Sequence, residues 1–480
     1  MKNKGPGGAV SNVIWRAMEK VGAQGVSFLV SVVLARLLDP SAYGSIALIT
    51  VFISVLQVFV DGGFGTALIQ KKNADNIDFS TVFYFNLALC LTLYAGVFLL
   101  APWIATSFGD PTLAPVIRVQ SLLIVIASLK NVQSAYVARN MMFRRFFFAT
   151  LAGTVAAAVL GVSMALAGYG VWALVAQSLL NNAVDTIVLW WTVKWRPQRV
   201  FSLKRLKELF RFGWKMFASN LLDVAYANIR QLIVGLRFST TDLAFYNKGE
   251  SLTKLVITDA VSSVEDVAFP MTARLQEDHA ALRAMTSRVL KIATFVCCPV
   301  LLGIAATADH LVDVVYTSKW AGAVPYLVIF CFSGLFYPLH VLSLNVIKSI
   351  GRSDIILKLE IVKKVLEILF ILVAMQMDPL ALAASALIFT LVTLPMDVIP
   401  NSRLIGYSFG QCLKDVAPNF LIAGVMAAAV YGLGRFGSGL WMLLLQVTVG
   451  VAIFVVLARL FQRESFDYLL GILKRKHKGE

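Results

Sequence analysis

FGWKMFASNLLDVAYANIRQLIVGL, residues 212–236, is long enough to cross a bilayer, yet it carries Lys215, Asp223 and Arg230. On a helix at about 100° per residue, Lys215, Ser219, Asp223, Tyr226 and Arg230 fall within a sector of about 80°. The remaining faces are mostly Phe, Leu, Ile, Val and Ala. A charge near the bilayer centre costs roughly 2.5–3.5 kcal/mol on insertion scales. A stripe of charges therefore belongs against water or protein, and ionisable groups at that depth are candidates for function. The structural alternative for Arg230 is a side chain reaching the outer interface, and for Tyr226 it is core packing.

The same stripe occurs near the N-terminus. Arg16, Lys20, Gln24, Ser27 and Ser31 repeat the spacing of Lys215 through Arg230, and Trp15 and Trp214 precede the two stripes. Both segments end in an arginine and a short polar turn, at Arg36 and Arg237. This predicts an internal repeat. Two further helices are striped, through Thr50, Ser54, Gln57 and Asp61, and through Asn247, Glu250, Lys254, Thr258 and Glu265. If the four stripes converge they enclose a polar chamber. Its cations, Arg16, Lys20, Lys215, Arg230 and Lys254, outnumber Glu19, Asp61, Asp223 and Glu250, which suggests an anionic passenger. Arginine suits phosphate because its planar fork binds two oxygens at once. Arg16 and Lys20 can equally snorkel to the nearby interface, and Asp223 can be a structural partner of Arg230 or Lys20.

Composition sets the class. The chain is 58% hydrophobic and 15% charged, against about 45–50% apolar and about 25% charged for soluble domains. Apolar runs give about 14 spans, near 12–38, 42–62, 80–106, 114–138, 147–167, 171–193, 211–236, 243–270, 286–315, 322–349, 354–376, 380–399, 415–434 and 438–461. The fold expected is all-α and polytopic, with an uncleaved first span instead of a signal peptide. The excess of 43 Lys and Arg over 27 Asp and Glu concentrates in alternate loops: Lys71 and Lys72; Arg139, Arg144 and Arg145; 194–211; Arg274, Arg283 and Arg288; Arg352; Arg403; and the tail from Lys474. The other side holds little beyond Arg237, Lys319 and Arg435. That asymmetry makes both termini cytoplasmic and accounts for the net charge of +16 without a nucleic-acid partner. The organisation expected is a six-helix lobe over 1–193, a linker over 194–210, a second six-helix lobe over 211–400, and two further helices with a basic tail over 401–480. Within the linker, Leu203 to Phe210 reads either as a short amphipathic helix at the interface or as plain chain.

Enzyme chemistry is not indicated. There is no Gly-x-x-x-x-Gly-Lys run, and Asp61-Gly-Gly-Phe-Gly follows no strand, so it reads as a helix end. The four histidines are scattered, with His310 read as lying at a solvated helix terminus. The five cysteines form no metal or disulfide pattern, and no cofactor or metal is implied. A second charged group, Lys358, Glu360, Lys363, Lys364 and Glu367, contains the i,i+4 pairs Glu360–Lys364 and Lys363–Glu367. It reads either as a self-neutralised helix packed on a neighbour or, through Lys358, Lys363 and Lys364, as a side groove for an anionic or lipidic part of the substrate.

Several runs resemble Wzx-type oligosaccharide flippases, the polysaccharide-transporter branch of the MOP superfamily. They are Trp15-Arg16 through Leu34-Ala-Arg-Leu-Leu-Asp-Pro-Ser-Ala-Tyr-Gly, Asp61-Gly-Gly-Phe-Gly-Thr-Ala-Leu-Ile-Gln, Ala138-Arg-Asn-Met-Met-Phe-Arg-Arg-Phe, and 211–250 ending Phe245-Tyr-Asn-Lys-Gly. The family usually has Gln-Arg-Glu where this chain has Ala138-Arg139-Asn140. The resemblance implies two lobes related by a pseudo-two-fold axis, and a central cavity lined by spans 1, 2, 7 and 8. It implies undecaprenyl-diphosphate-linked oligosaccharide as substrate, moved across the bacterial cytoplasmic (inner) membrane for capsule, exopolysaccharide or O-antigen assembly. Membrane lipids, a polysaccharide polymerase and a chain-length regulator are the partners it implies. The last two spans resemble helices that form a lipid-tail groove in lipid II flippases. Two other readings are a MATE-like cation-coupled multidrug exporter, which the basic stripes disfavour, and a membrane scaffold for a polymerase.

Overall fold

The computed structural model describes residues 22, 25–463, 466 and 467, and among them the chain is helical with no strand. The helices are α1 (Gly25–Leu37), α2 (Pro40–Asp61), α3 (Phe64–Gln70), α4 (Asn76–Ser107), α5 (Ala114–Gln120), α6 (Leu122–Arg139), α7 (Phe143–Leu166), α8 (Val171–Thr192), α9 (Leu203–Arg237), α10 (Thr240–Arg274), α11 (His279–Ala306), α12 (Ala308–Tyr316), α13 (Val324–Gly334), α14 (Tyr337–Ser349), α15 (Ser353–Ala374), α16 (Pro379–Ile405), α17 (Phe409–Gly434) and α18 (Leu440–Phe461). A helical segment lies at each expected span. Among the described residues, ten helices are long and apolar enough to cross a membrane. Besides the short α12, the helices outside that set are α1, α9, α10 and α15; α9 and α10 carry polar stripes and α15 the second charged group, whereas the Thr50–Asp61 stripe lies on α2, within the set.

Helix starts follow local chemistry. Pro40 opens α2, where its fixed φ and missing N–H cost nothing. Asp75 with Asp78, and Ser408 with Gln411, form capping boxes on α4 and α17. The backbone N–H of Asp78 and, after it, Arg205 hold the Asp75 carboxyl below the usual carboxylate range. The chain divides by contacts into two units, Met1–Ala244 and Phe245–Glu480. Helix α9 belongs to the first because it packs along α2, α3 and α4.

Residues 194–210 are neither free chain nor a separate amphipathic helix. Trp195 is buried and stacks on Tyr136. Its carbonyl accepts from Gln133 Nε2 at 3.2 Å. The N–H groups of Gln198 and Ser202 donate to Ser80 Oγ at 2.9 Å and Thr81 Oγ1 at 3.2 Å. Ser202 then caps α9, which runs unbroken from Leu203 through the charged stripe. Its first turns are fixed by Arg205 to Asp75 at 3.3 Å and to the fully buried Asp78 at 3.4 Å. Lys71 also reaches Asp78, at 2.8 Å.

The Arg139 guanidinium donates to the carbonyls of Leu68, Lys71 and Lys72. It thereby satisfies the open end of α3, where a cation also suits the helix dipole. We expect Arg139→Met to release the 71–75 loop. Trypsin should cut after Lys71 or Lys72 about tenfold faster than in the parent, because three charge-assisted hydrogen bonds that hold it closed are gone. An unchanged cleavage rate would show that the arginine does not hold the loop.

Candidate functional site

Helix α9 lies antiparallel along α2, and glycines let the backbones touch. A Cβ on Gly63 would sit 2.2 Å from the Gly213 carbonyl oxygen. At the other end, one on Gly44 would sit 1.6 Å from the Thr240 carbonyl oxygen, and one on Gly235 would sit 2.6 Å from the Leu48 side chain. Between them the rings of Phe59 and Phe217 meet edge to face, with centroids 5.0 Å apart. Close approach through small residues is how helices associate where lipid supplies no hydrophobic drive.

The charged stripe of α9 lies roughly 140° around the helix from this seam. Lys215, Ser219 and Asp223 are exposed on it, Tyr226 is half-buried, and Arg230 is 8% exposed. On α2 the stripe is about half a turn from Phe59. Thr50 and Asp61 are exposed, while Ser54 and Gln57 are half-buried. The seam therefore does not bring Asp61 together with Lys215 or Asp223. At the end of α2, Gly62 and Gly63 turn through positive φ. The Val60 carbonyl just before them accepts from Asn86 Nδ2 at 3.1 Å and Asn131 Nδ2 at 2.7 Å. Asn131 also donates to Asp61 at 3.2 Å. The Asp61-Gly-Gly-Phe-Gly run is thus a helix break pinned by amides from α4 and α6. Lys130 on α6 is paired with Asp185 on α8.

The second unit holds Glu250 and Lys254, an ion pair of 2.8 Å one turn apart, with Lys254 the more exposed. Arg16, Lys20 and Gln24, and the side chains of Thr258 and Glu265, lie outside the described residues. In the second charged group, Lys358 is exposed and Lys364 half-buried. Lys363 reaches Glu360 at 2.6 Å and Asp397 on α16 at 3.2 Å. Asp397 is fully buried and also bonds His340 Nδ1 at 2.6 Å. The partner that anchors Lys363 lies outside the i,i+4 pattern.

Sequence reasoning passed over Lys248. Its ammonium sits 4.8 Å from the Tyr316 ring centroid and 5.6 Å from that of Trp320. Phe245 meets Trp320 edge to face and closes on Gly322, while Gly249 meets the Tyr326–Leu327 backbone. The Phe245-Tyr-Asn-Lys-Gly run is a packing knot that ties α10 to the turn before α13. His310, read as a solvated terminus, instead bonds the Gly437 carbonyl at 2.9 Å.

An apolar cavity of about 490 Å³ opens between α11, α12, α17 and α18, lined by Phe295, Pro299, Met426, Val430, Val447 and Phe454 among others. Its polar side chains turn back on the backbone. Gln446 donates to the Val430 carbonyl at 2.9 Å, and Thr307 to that of Gly303 at 2.9 Å. The wall presents hydrocarbon.

Residues 33–325 match the family described as polysaccharide biosynthesis protein. The succinoglycan biosynthesis transport protein ExoT of Rhizobium meliloti is 25% identical over 97% of this chain and 95% of its own length. The lipopolysaccharide biosynthesis protein WzxC of Escherichia coli is 25% identical over 77% of this chain and 75% of its own. Among solved structures, the lipid II flippase MurJ in an inward closed conformation superposes with a TM-score of 0.77 over 94% of this chain and 99% of its own, at 14% identity. That likeness is one of fold.

Proposed function

Because the chain belongs to the polysaccharide biosynthesis protein family, we propose that it is a flippase carrying a lipid-linked oligosaccharide across the bacterial cytoplasmic membrane for polysaccharide assembly. It is a transporter and not an enzyme. Its relatives are named for transport and for polysaccharide biosynthesis. The substrate we assign is undecaprenyl-diphosphate-linked oligosaccharide. The chain crosses the membrane 14 times, with both termini cytoplasmic and two six-helix lobes over 1–193 and 211–400. The lobes rock to expose a central cavity to one side and then the other.

The observation that carries the site is α9: a continuous helix that keeps Lys215, Asp223 and Arg230 on a face turned from its α2 seam, which the proposed topology sets across the bilayer. In the cavity Arg16, Lys20, Lys215, Arg230 and Lys254 meet the diphosphate, while Gln24, Asp61, Asp223 and Glu250 balance charge or bind sugar hydroxyls. The polyprenyl chain stays in hydrocarbon, and the apolar cavity beside α17 and α18 offers it a surface without free donors.

The test is leaflet transfer of a fluorescent lipid-diphosphate oligosaccharide in proteoliposomes. Removing Arg16, Lys215 and Arg230 together, each to Ala, should slow transfer by about tenfold or more, since each charge-assisted bond to phosphate contributes about 1.5–3 kcal/mol. Transfer at the parental rate, in a variant that elutes and melts like the parent, would reject these roles.

A further inference from the structure

A second cavity, polar and of about 620 Å³, opens where α11 and α17 begin. The two helices run parallel in a fixed register. Ser287 Oγ donates to Asp415 at 2.6 Å, and one turn on Asn419 Nδ2 donates to the Lys291 carbonyl and to Thr294 Oγ1, both at 2.9 Å. Their first turns therefore lie side by side, with the positive ends of both dipoles toward the cavity. Arg283 and His279 line it from α11, and Gln411 and Lys414 from α17. Ala280 and Ala284 leave the room between them.

The charge in this cavity is unbalanced. Its one carboxylate, Asp415, accepts from Ser287, from Tyr407 Oη at 2.8 Å, and from Lys291 at 3.1 Å. Arg283 and Lys414 make no ion pair among the described residues. An arginine fork beside a lysine is the chemistry that holds a phosphate. The surface beyond Lys414 says which kind. Leu421 and Val425 follow it on the same face of α17, 69% and 57% exposed, at positions that a helix of 3.6 residues per turn aligns. A charged socket with an apolar track leading from it fits an amphiphile better than a free ion.

We propose that this cavity binds the phosphate headgroup of an anionic phospholipid, with Arg283 and Lys414 on the phosphate and the acyl chains along the Leu421–Val425 face. Basic pockets between membrane helices are a recognised way to hold such headgroups. The site is separate from the transport stripes, and its test does not measure transport.

The experiment compares the full-length protein in nanodiscs of phosphatidylcholine with the same protein in discs containing about a quarter phosphatidylglycerol. The lipid mixture should raise the melting temperature of the parent and of Arg403→Gln, which lies outside the cavity. The double variant Arg283→Gln, Lys414→Gln should lose most of that gain and retain phosphatidylglycerol about tenfold more weakly in native mass spectra. Lys414→Glu, at an exposed position, should lose it without loss of fold. A third arm adds inorganic phosphate to the phosphatidylcholine discs and should give no gain. A double variant that responds like the parent overturns the site, and a full gain from inorganic phosphate alone overturns the lipid assignment.

Discussion

Gly63→Val abolishes accumulation of a monodisperse protein, and Gly63→Ala lowers the melting temperature far more than Gly109→Ala. All these changes place a Cβ on a residue with positive φ, +68° at Gly63 and +75° at Gly109. That backbone conformation costs an L-residue about 1–2 kcal/mol. At Gly109 nothing else is met, since no atom lies within 4 Å of the added carbon. At Gly63 the carbon arrives 2.2 Å from the Gly213 carbonyl oxygen and 2.9 Å from its Cα. Those are backbone atoms of α9 and cannot rotate away, so α2 and α9 must part by more than an ångström. Overpacking of that kind costs about 1–3 kcal/mol or more, and it strips the Phe59–Phe217 contact and the shared glycine surface at once. Valine adds two methyl groups in the same direction. The measurement is the melting temperature by tryptophan fluorescence together with the size-exclusion profile. Equal losses for Gly63→Ala and Gly109→Ala would mean that the seam is looser than its geometry states.

The same seam shows what hydropathy can read. Apolar runs of bilayer length are set by a solvent that tolerates no open backbone, so the helix positions were legible one by one. Where helices stop was less so. Helix α9 extends back to Leu203 because Ser202 caps it and no proline interrupts it before the stripe. A reading keyed to bilayer thickness cuts such a helix at the membrane edge and makes its first turns a separate piece. The polar stripes were legible as periodicity, but what each side chain touches was not. Asn86 and Asn131 hold the end of α2 from other helices, and Lys248 finds aromatic rings some 70 residues away. No local spacing rule carries such pairings. The family resemblance marked several of these runs, and the structure gives two of them a physical reason: Arg139 closes α3, and Phe245-Tyr-Asn-Lys-Gly ties α10 to its neighbours.

Asp397→Leu should cost the protein most of its yield in the membrane, and adding Lys363→Met should restore it. Asp397 is fully buried on α16, where it holds His340 at 2.6 Å and Lys363 at 3.2 Å. The Lys363 side chain is 13% exposed and sits about ten residues, or about 15 Å, along α15. With Asp397 gone, the more exposed Glu360 is, among the described residues, the carboxylate left within ion-pair distance of its ammonium. Stranding one partner of a buried pair costs about 3–5 kcal/mol, comparable to the whole margin of many folded proteins. Replacing both partners with apolar groups removes the stranded charge along with its need for a partner, and such swaps are often neutral. The pattern to look for is therefore non-additive. The single aspartate variant should melt far below the parent. The double variant should recover to within a few degrees of it, and Lys363→Met alone should fall between, because it leaves Asp397 with only the imidazole of His340. A double variant as unstable as the single would mean that Asp397 acts through His340 and not through Lys363. That result would return Lys363 to the side groove as a cation available for substrate.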